Sequence, residues 1–230
     1  MKILAIGAHP DDVEFGCGAL LIKEVRAGSQ VKILVLSRGE AGTAGTPQGR
    51  EQESRAAAAL IGAEIEFLEM GGDCHIQNTP ANGFALARHI RQEQPDIILA
   101  PHIDENQHPD HAAAGKLCRE AARFARYGGL AELKDLPVHK ITGLYYYPVT
   151  QDFGRPVDIV IDTTEAYEQW SKVILSHQSQ LSAKAYLDLV SARARALGAA
   201  IGTGYAQGLW QNDPVRLDRI SELTLSSRNY

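Results

Sequence analysis

The 230-residue sequence predicts an α/β fold: a Rossmann-like, doubly wound, mostly parallel sheet in a single domain spanning residues 1–230. Short apolar runs alternate with helical stretches through the first half. Those runs lack the polar alternation of a strand with one wet face, so the sheet is covered on both sides. No repeat, low-complexity tract or linker divides the chain, and right-handed crossovers complete the doubly wound arrangement.

Lys2 to Ile6 reads as the first strand, and Ala19 to Ala27 as a helix stopped by Gly28. Val31 to Leu36 (VKILVL) is the second strand, followed by the glycine-rich loop SRGEAGTAGTPQG. Arg50 to Ile61 is rich in strong helix formers and is closed by Gly62. Glu64 to Leu68 is a short third strand, Asn82 to Gln94 a helix, Asp96 to Ala100 a fourth strand, and Ala112 to Tyr127 an alanine-rich helix. Beyond these, Gly143 to Val149 and Val157 to Asp162 read as strands and Thr164 to His177 as a helix, while Arg193 to Gly198 ends another.

Composition narrows the function classes. The net charge of −5 comes without any block of Lys or Arg, which argues against nucleic acid or an anionic membrane as the main partner. No apolar run approaches the ~20 residues of a membrane-spanning helix, and the N-terminus is no secretory signal. Cys17, Cys74 and Cys118 form an odd set without CxxC spacing, read as reduced thiols of a cytoplasmic protein.

In an open parallel sheet, ligands sit beyond the carboxyl ends of the strands. The first strand exits into AHPDDVE, carrying His9, Asp11 and Asp12. The fourth exits into PHIDENQHPDHAAAG, carrying His102, Asp104, Glu105, His108, Asp110 and His111. With the common 3-2-1-4-5 order, the first and fourth strands are neighbours and the clusters meet at the switch point. Either motif alone reads equally as a turn before a helix. Two of them, each directly after a strand, read as a site.

Imidazole and carboxylate together suit zinc, held by three protein ligands with one position left for water. His9, Asp12 and one histidine of the second cluster supply such a set; ferrous iron accepts it too. A carboxylate is left over as general base toward a water whose pKa zinc lowers to about 7.

Other candidates are weaker. His75 lies in a polar loop, His89 on a helix surface and His139 in a loop; His177 in LSHQSQ reaches toward the site or lies on the surface. Arg50 is either a solvated helix residue or a bidentate contact to substrate. The loop Gly39 to Gly49 lacks nucleotide-binding spacing and reads as a substrate cover, and no GxSxG elbow is present.

AHPDDVEFGCG followed by PHIDENQHPDHAAAG resembles the LmbE-like (PIG-L) zinc de-N-acetylases. The resemblance extends through LSRGEAGT, GREQESRAAAALIGAE, His177 to Gln180 and Tyr205 to Leu209, with the bacillithiol-type GlcNAc-malate deacetylases nearest. It implies His9, Asp12 and His111 as metal ligands and Asp11 as general base. It also implies that His108 stabilises the oxyanion and helps protonate the leaving amine, oriented by Asp110, which should keep it cationic, and that Arg50 contacts substrate. The implied substrate is a small N-acetylated sugar conjugate and the implied assembly a homo-oligomer, trimer or hexamer. The family's YAEGF is here YAQGL, with Gln207 and Leu209. The alternatives are a same-mechanism amidase of a natural-product or other non-sugar amide, and a non-catalytic metal-binding protein on this scaffold.

Overall fold

The computed structural model describes residues 1–104, 108–150, 154, 156–182, 185–222 and 226. Five parallel strands form its centre: β1 (Lys2–Gly7), β2 (Gln30–Val35), β3 (Glu64–Phe67), β4 (Ile97–Pro101) and β5 (Gly143–Tyr147). The sheet continues through β6 (Ile159–Asp162) and β7 (Ala206–Gln211), in the order β3-β2-β1-β4-β5-β7-β6. The first five strands thus follow the expected order, and Ile3 of β1 lies between Val31 of β2 and Ile97 of β4. β7 enters antiparallel between β5 and β6. It was not foreseen: only six residues long and interrupted by Gly208, it has no apolar run of its own.

Alternate strand residues feed two cores. Ile3 and Ala5 face α1 (Asp12–Arg26), α2 (Pro47–Ile61), α5 (Tyr167–Leu175) and α7 (Tyr186–Ala200), while Leu4 and Ile6 face α3 (Pro80–Glu93) and α4 (Pro109–Ala125). A short α6 (Gln178–Leu181) joins α5 toward α7. Every helix read from sequence in the first half begins earlier than expected. Thr46 and Thr79 cap α2 and α3, accepting from Gly49 N and Asn82 N, and proline follows each cap.

The displacement is largest at α1, which begins at Asp12 rather than Ala19. Gly16 and Gly18 disfavour a helix there, but packing overrides propensity. A Cβ on Gly16 would lie 2.2 Å from Tyr147 Cδ2, so the helix passes closer to β5 than any other residue would allow. Gln207, at the YAQGL departure, is buried, and its Oε1 accepts from Leu20 N at 2.9 Å. That position bolts β7 to α1. Among the described residues, no helix is long and apolar enough to cross a membrane.

Candidate active site

The carboxyl ends of β1 and β4 bring the two HPD motifs together. After β1, Asp11 takes a left-handed conformation (φ 98°) and Asp12 opens α1. Asp12 Oδ2 accepts from Ala8 N and His9 N at 2.9 and 3.0 Å, which turns its other oxygen outward. That oxygen, Oδ1, lies 3.1 Å from His111 Nε2. His111 Nε2 in turn lies 3.3 Å from His9 Nδ1, and His9 Nδ1 lies 3.7 Å from Asp12 Oδ2. All three side chains are buried.

This donor set fits a divalent metal. Ligands about 2.1 Å from a tetrahedral zinc stand roughly 3.4 Å apart, the spacing that Asp12 Oδ1 and His9 Nδ1 each keep from His111 Nε2. His9 Nε2 is 3.1 Å from both Asp110 Oδ2 and Asp73 Oδ1, so a proton resides there and Nδ1, which faces His111, is the atom left for a metal. A shared cation, proton or metal, reconciles two imidazole nitrogens facing each other across 3.3 Å. Burial opposes a charge on His9, yet Asp110, Asp73 and Asp12 outweigh it and raise its pKa to about 10. The same imidazoles hold the Asp12 and Asp73 carboxyls well below the usual carboxylate range, although both are partly or fully desolvated.

Asp11 stands apart from this set. Burial and the charge of Asp12 push its pKa up to about 6 against the pull of Arg50. Its Oδ2 lies 3.4 Å from Arg50 Nη2, in a cavity of about 200 Å³ that also admits His9, Asp12, Asp73, Cys74, His108 and His111. Arg50 is buried rather than solvated: Nη2 donates to Pro10 O at 2.9 Å and Nη1 to Gly39 O at 3.1 Å. It ties the HPDD turn to the glycine-rich loop. Gly39 (φ 68°) is required there, because a Cβ would sit 1.9 Å from Arg50 Nη1.

In the second motif, His108 caps α4 and its Nδ1 accepts from Asp110 N at 3.2 Å. The neutral ring therefore carries its proton on Nε2, which faces Cys74 Sγ at 3.6 Å. The Asp110 carboxylate is turned toward His9 and accepts from Cys74 N at 2.7 Å, leaving 4.0 Å to His108 Nδ1. Orientation of His108 thus comes from the backbone of Asp110. Its pKa falls below the ordinary value, through burial and then the charge of His9, so the expectation of a cationic His108 is corrected.

Other candidates lie elsewhere. His102 is buried against Trp210 and Tyr146, with Asp104 beside it, and Glu105 falls outside the described residues. His89 is buried, not on a helix surface, and His139 faces Pro95 O. His177 is buried beneath the site, 3.4 Å from Glu14 and edge-on to Phe15. Sequence reading missed Asp73, Cys74, Thr150, Gln180 and Tyr186, all lining the cavity. For Asp73 and Cys74 a signal existed: GGDCH follows the third strand and so opens at the same rim of the sheet. A larger cavity, about 700 Å³ and lined by Arg119, Arg123, Arg126 and Lys140, lies by the amino end of β5 and brings no histidine and carboxylate together.

The family profile described as "PIG-L: GlcNAc-PI de-N-acetylase" matches residues 4–122, and the chain belongs to that family. It is 29% identical over 192 residues to the diacetylchitobiose deacetylase of Thermococcus kodakarensis, covering 78% of this chain and 70% of that protein. It is 28% identical over 152 residues to a 4-oxalmesaconate hydratase of Pseudomonas putida, covering 61% of this chain and 57% of that one. The conserved protein TT1542 from Thermus thermophilus superimposes with a TM-score of 0.86 at 27% identity, covering 97% and 99% of the two chains.

Proposed function

We propose that this PIG-L family member is a zinc-dependent N-deacetylase that removes acetyl from a small GlcNAc-type conjugate, of the size and kind of GlcNAc-malate. The reading rests on Asp11. It is held in a strained backbone conformation, in a cavity of about 200 Å³, beside a metal-donor set that does not need it. A purely metal-binding protein has no use for that carboxylate.

His9 Nδ1, Asp12 Oδ1 and His111 Nε2 would hold the ion, with Asp73 and Asp110 fixing the orientation of His9. When bound, the ion supplies Lewis acidity toward the amide carbonyl and toward a nucleophilic water. Asp11 takes a proton from that water and returns it to the departing nitrogen. Arg50 keeps the carboxylate pointed into the cavity and draws the glycine-rich loop over it. His108 donates its Nε2–H to the oxyanion that develops as the amide carbon becomes tetrahedral. A neutral imidazole suffices for that donation, so the lowered pKa of His108 does not count against it.

The relationship to a hydratase makes addition of water to an unsaturated polycarboxylate the competing reaction. The family profile, described as a de-N-acetylase, and the diacetylchitobiose deacetylase relative favour amide hydrolysis over it. The test is amine release from a panel of N-acetylglucosaminides, including GlcNAc and its malate conjugate, with metal content measured alongside. Turnover of one conjugate, abolished by Asp11→Ala without loss of metal, is expected. Metal-loaded protein that releases no amine from the panel would overturn the sugar-conjugate reading.

A further inference from the structure

A second convergence of imidazole and carboxylates lies outside the catalytic cavity, where the edge strand β3 and its neighbour β2 pack under the end of α3. His89 and Glu93 stand one helical turn apart on α3, and Glu66 projects from β3. One donor atom from each lies within 4.8 Å of the others. His89 is only 6% exposed, and its buried Nε2 has no hydrogen-bond partner. Such an orphaned polar atom is destabilising unless something pairs with it.

The cation now present is Lys32. Its Nζ lies 2.7 Å from Glu93, 3.6 Å from Glu64 and 3.7 Å from Glu66. That one ammonium faces three carboxylates and does not pair with His89 Nε2. Beside the cluster opens a cavity of about 370 Å³ lined by Lys32, Glu64 and Glu93, which gives the lysine room to withdraw.

We infer that His89, Glu66 and Glu93 form a second divalent-metal site, distinct from the catalytic one, that takes a transition ion such as zinc in place of the Lys32 ammonium. The donor set selects the ion class. One imidazole with two carboxylates suits zinc, nickel or copper, whereas magnesium and calcium prefer oxygen alone. Rotation of the exposed Glu66 and half-buried Glu93 side chains brings donors that already lie within 4.8 Å of one another to the roughly 3.4 Å that ligands about 2.1 Å from the ion require. Bound there, the ion would pin the otherwise unpaired edge of β3 to α3.

Equilibrium dialysis of the full-length protein against Zn²⁺, followed by metal analysis, tests this without reference to turnover. The wild type is expected to hold two equivalents, and His89→Gln one. Lys32→Met, which removes the competing ammonium, should keep two and bind the second about tenfold more tightly. If His89→Gln fails to fold by thermal melting, Glu93→Gln, at a half-exposed position, takes its place. A single wild-type equivalent that His89→Gln leaves in place overturns the site. So does a second equivalent that survives loss of His89 or Glu93, or an affinity for it that Lys32→Met leaves unchanged.

Discussion

The same three residues, histidine, proline and aspartate, open both α1 and α4, yet the helices start two positions apart within the motif. In HPDD the cap is the third residue, Asp11, left-handed and without a side-chain cap bond. In HPDH the cap is the first, His108, whose ring accepts from Asp110 N, and Pro109 already lies in the helix. The consequence is chemical. A left-handed aspartate outside the helix projects into the cavity, whereas a helical aspartate in the first turn is spent on its neighbours. On the proposed reading Asp11 handles protons, while Asp110 contacts His9.

Asp11→Asn tests the contrast most severely. Turnover should fall about 10²- to 10⁴-fold with metal content unchanged, measured by amine release and metal analysis; loss of the metal would make Asp11 a ligand and erase the distinction. Asp110→Asn should act differently, weakening metal affinity about 10- to 100-fold while turnover at saturating metal changes little. A collapse of kcat with the metal in place would instead assign Asp110 to His108.

Gly39→Ala places a methyl group 1.9 Å from Arg50 Nη1, so the guanidinium and Asp11 must shift. A fall of roughly tenfold to a hundredfold in kcat/KM is expected, with a far smaller effect from Gly129→Ala, where a Cβ meets nothing within 4 Å. Asp11→Gly sharpens the comparison from the side of stability. It removes the backbone strain and a desolvated carboxylate, and should raise unfolding free energy by about 1 kcal/mol while abolishing turnover. No stabilisation in chemical denaturation would mean that the turn stores no strain.

A pH-dependent effect concerns the buried His177–Glu14 pair under α1. Burial lowers the imidazole pKa, but Glu14 outweighs it and the net shift is upward from 6.5. The pair's contribution is thus complete below about 6.5 and is lost as pH rises through the folded-state value. Wild-type stability should fall in that range by at most about 1.4 kcal/mol per pH unit. His177→Gln should lack this component in denaturation curves recorded across the same range.

Much of this arrangement was legible in the sequence because it is encoded locally. Apolar runs without alternation marked β1, β2 and β4, strong helix formers marked α2 and α4, and two HPD motifs directly after strands marked the rim where β1 and β4 lie side by side. Donor type was legible too, since imidazole and carboxylate bring their chemistry wherever they stand. Tertiary structure decided which donors meet. The pairing of Ile3 with Ile97 sets His9 against His111 and Asp110. The loop after β3 then brings Asp73 and Cys74, from a stretch with no motif of its own, to His9 and to Asp110. Packing against Tyr147 starts α1 through two glycines, β7 joins the sheet without an apolar run, and His89 is buried on a helix whose surface pattern placed it outside. Each of these depends on contacts between residues distant in the chain. Local periodicity records what a residue prefers to be, and long-range register determines what it touches.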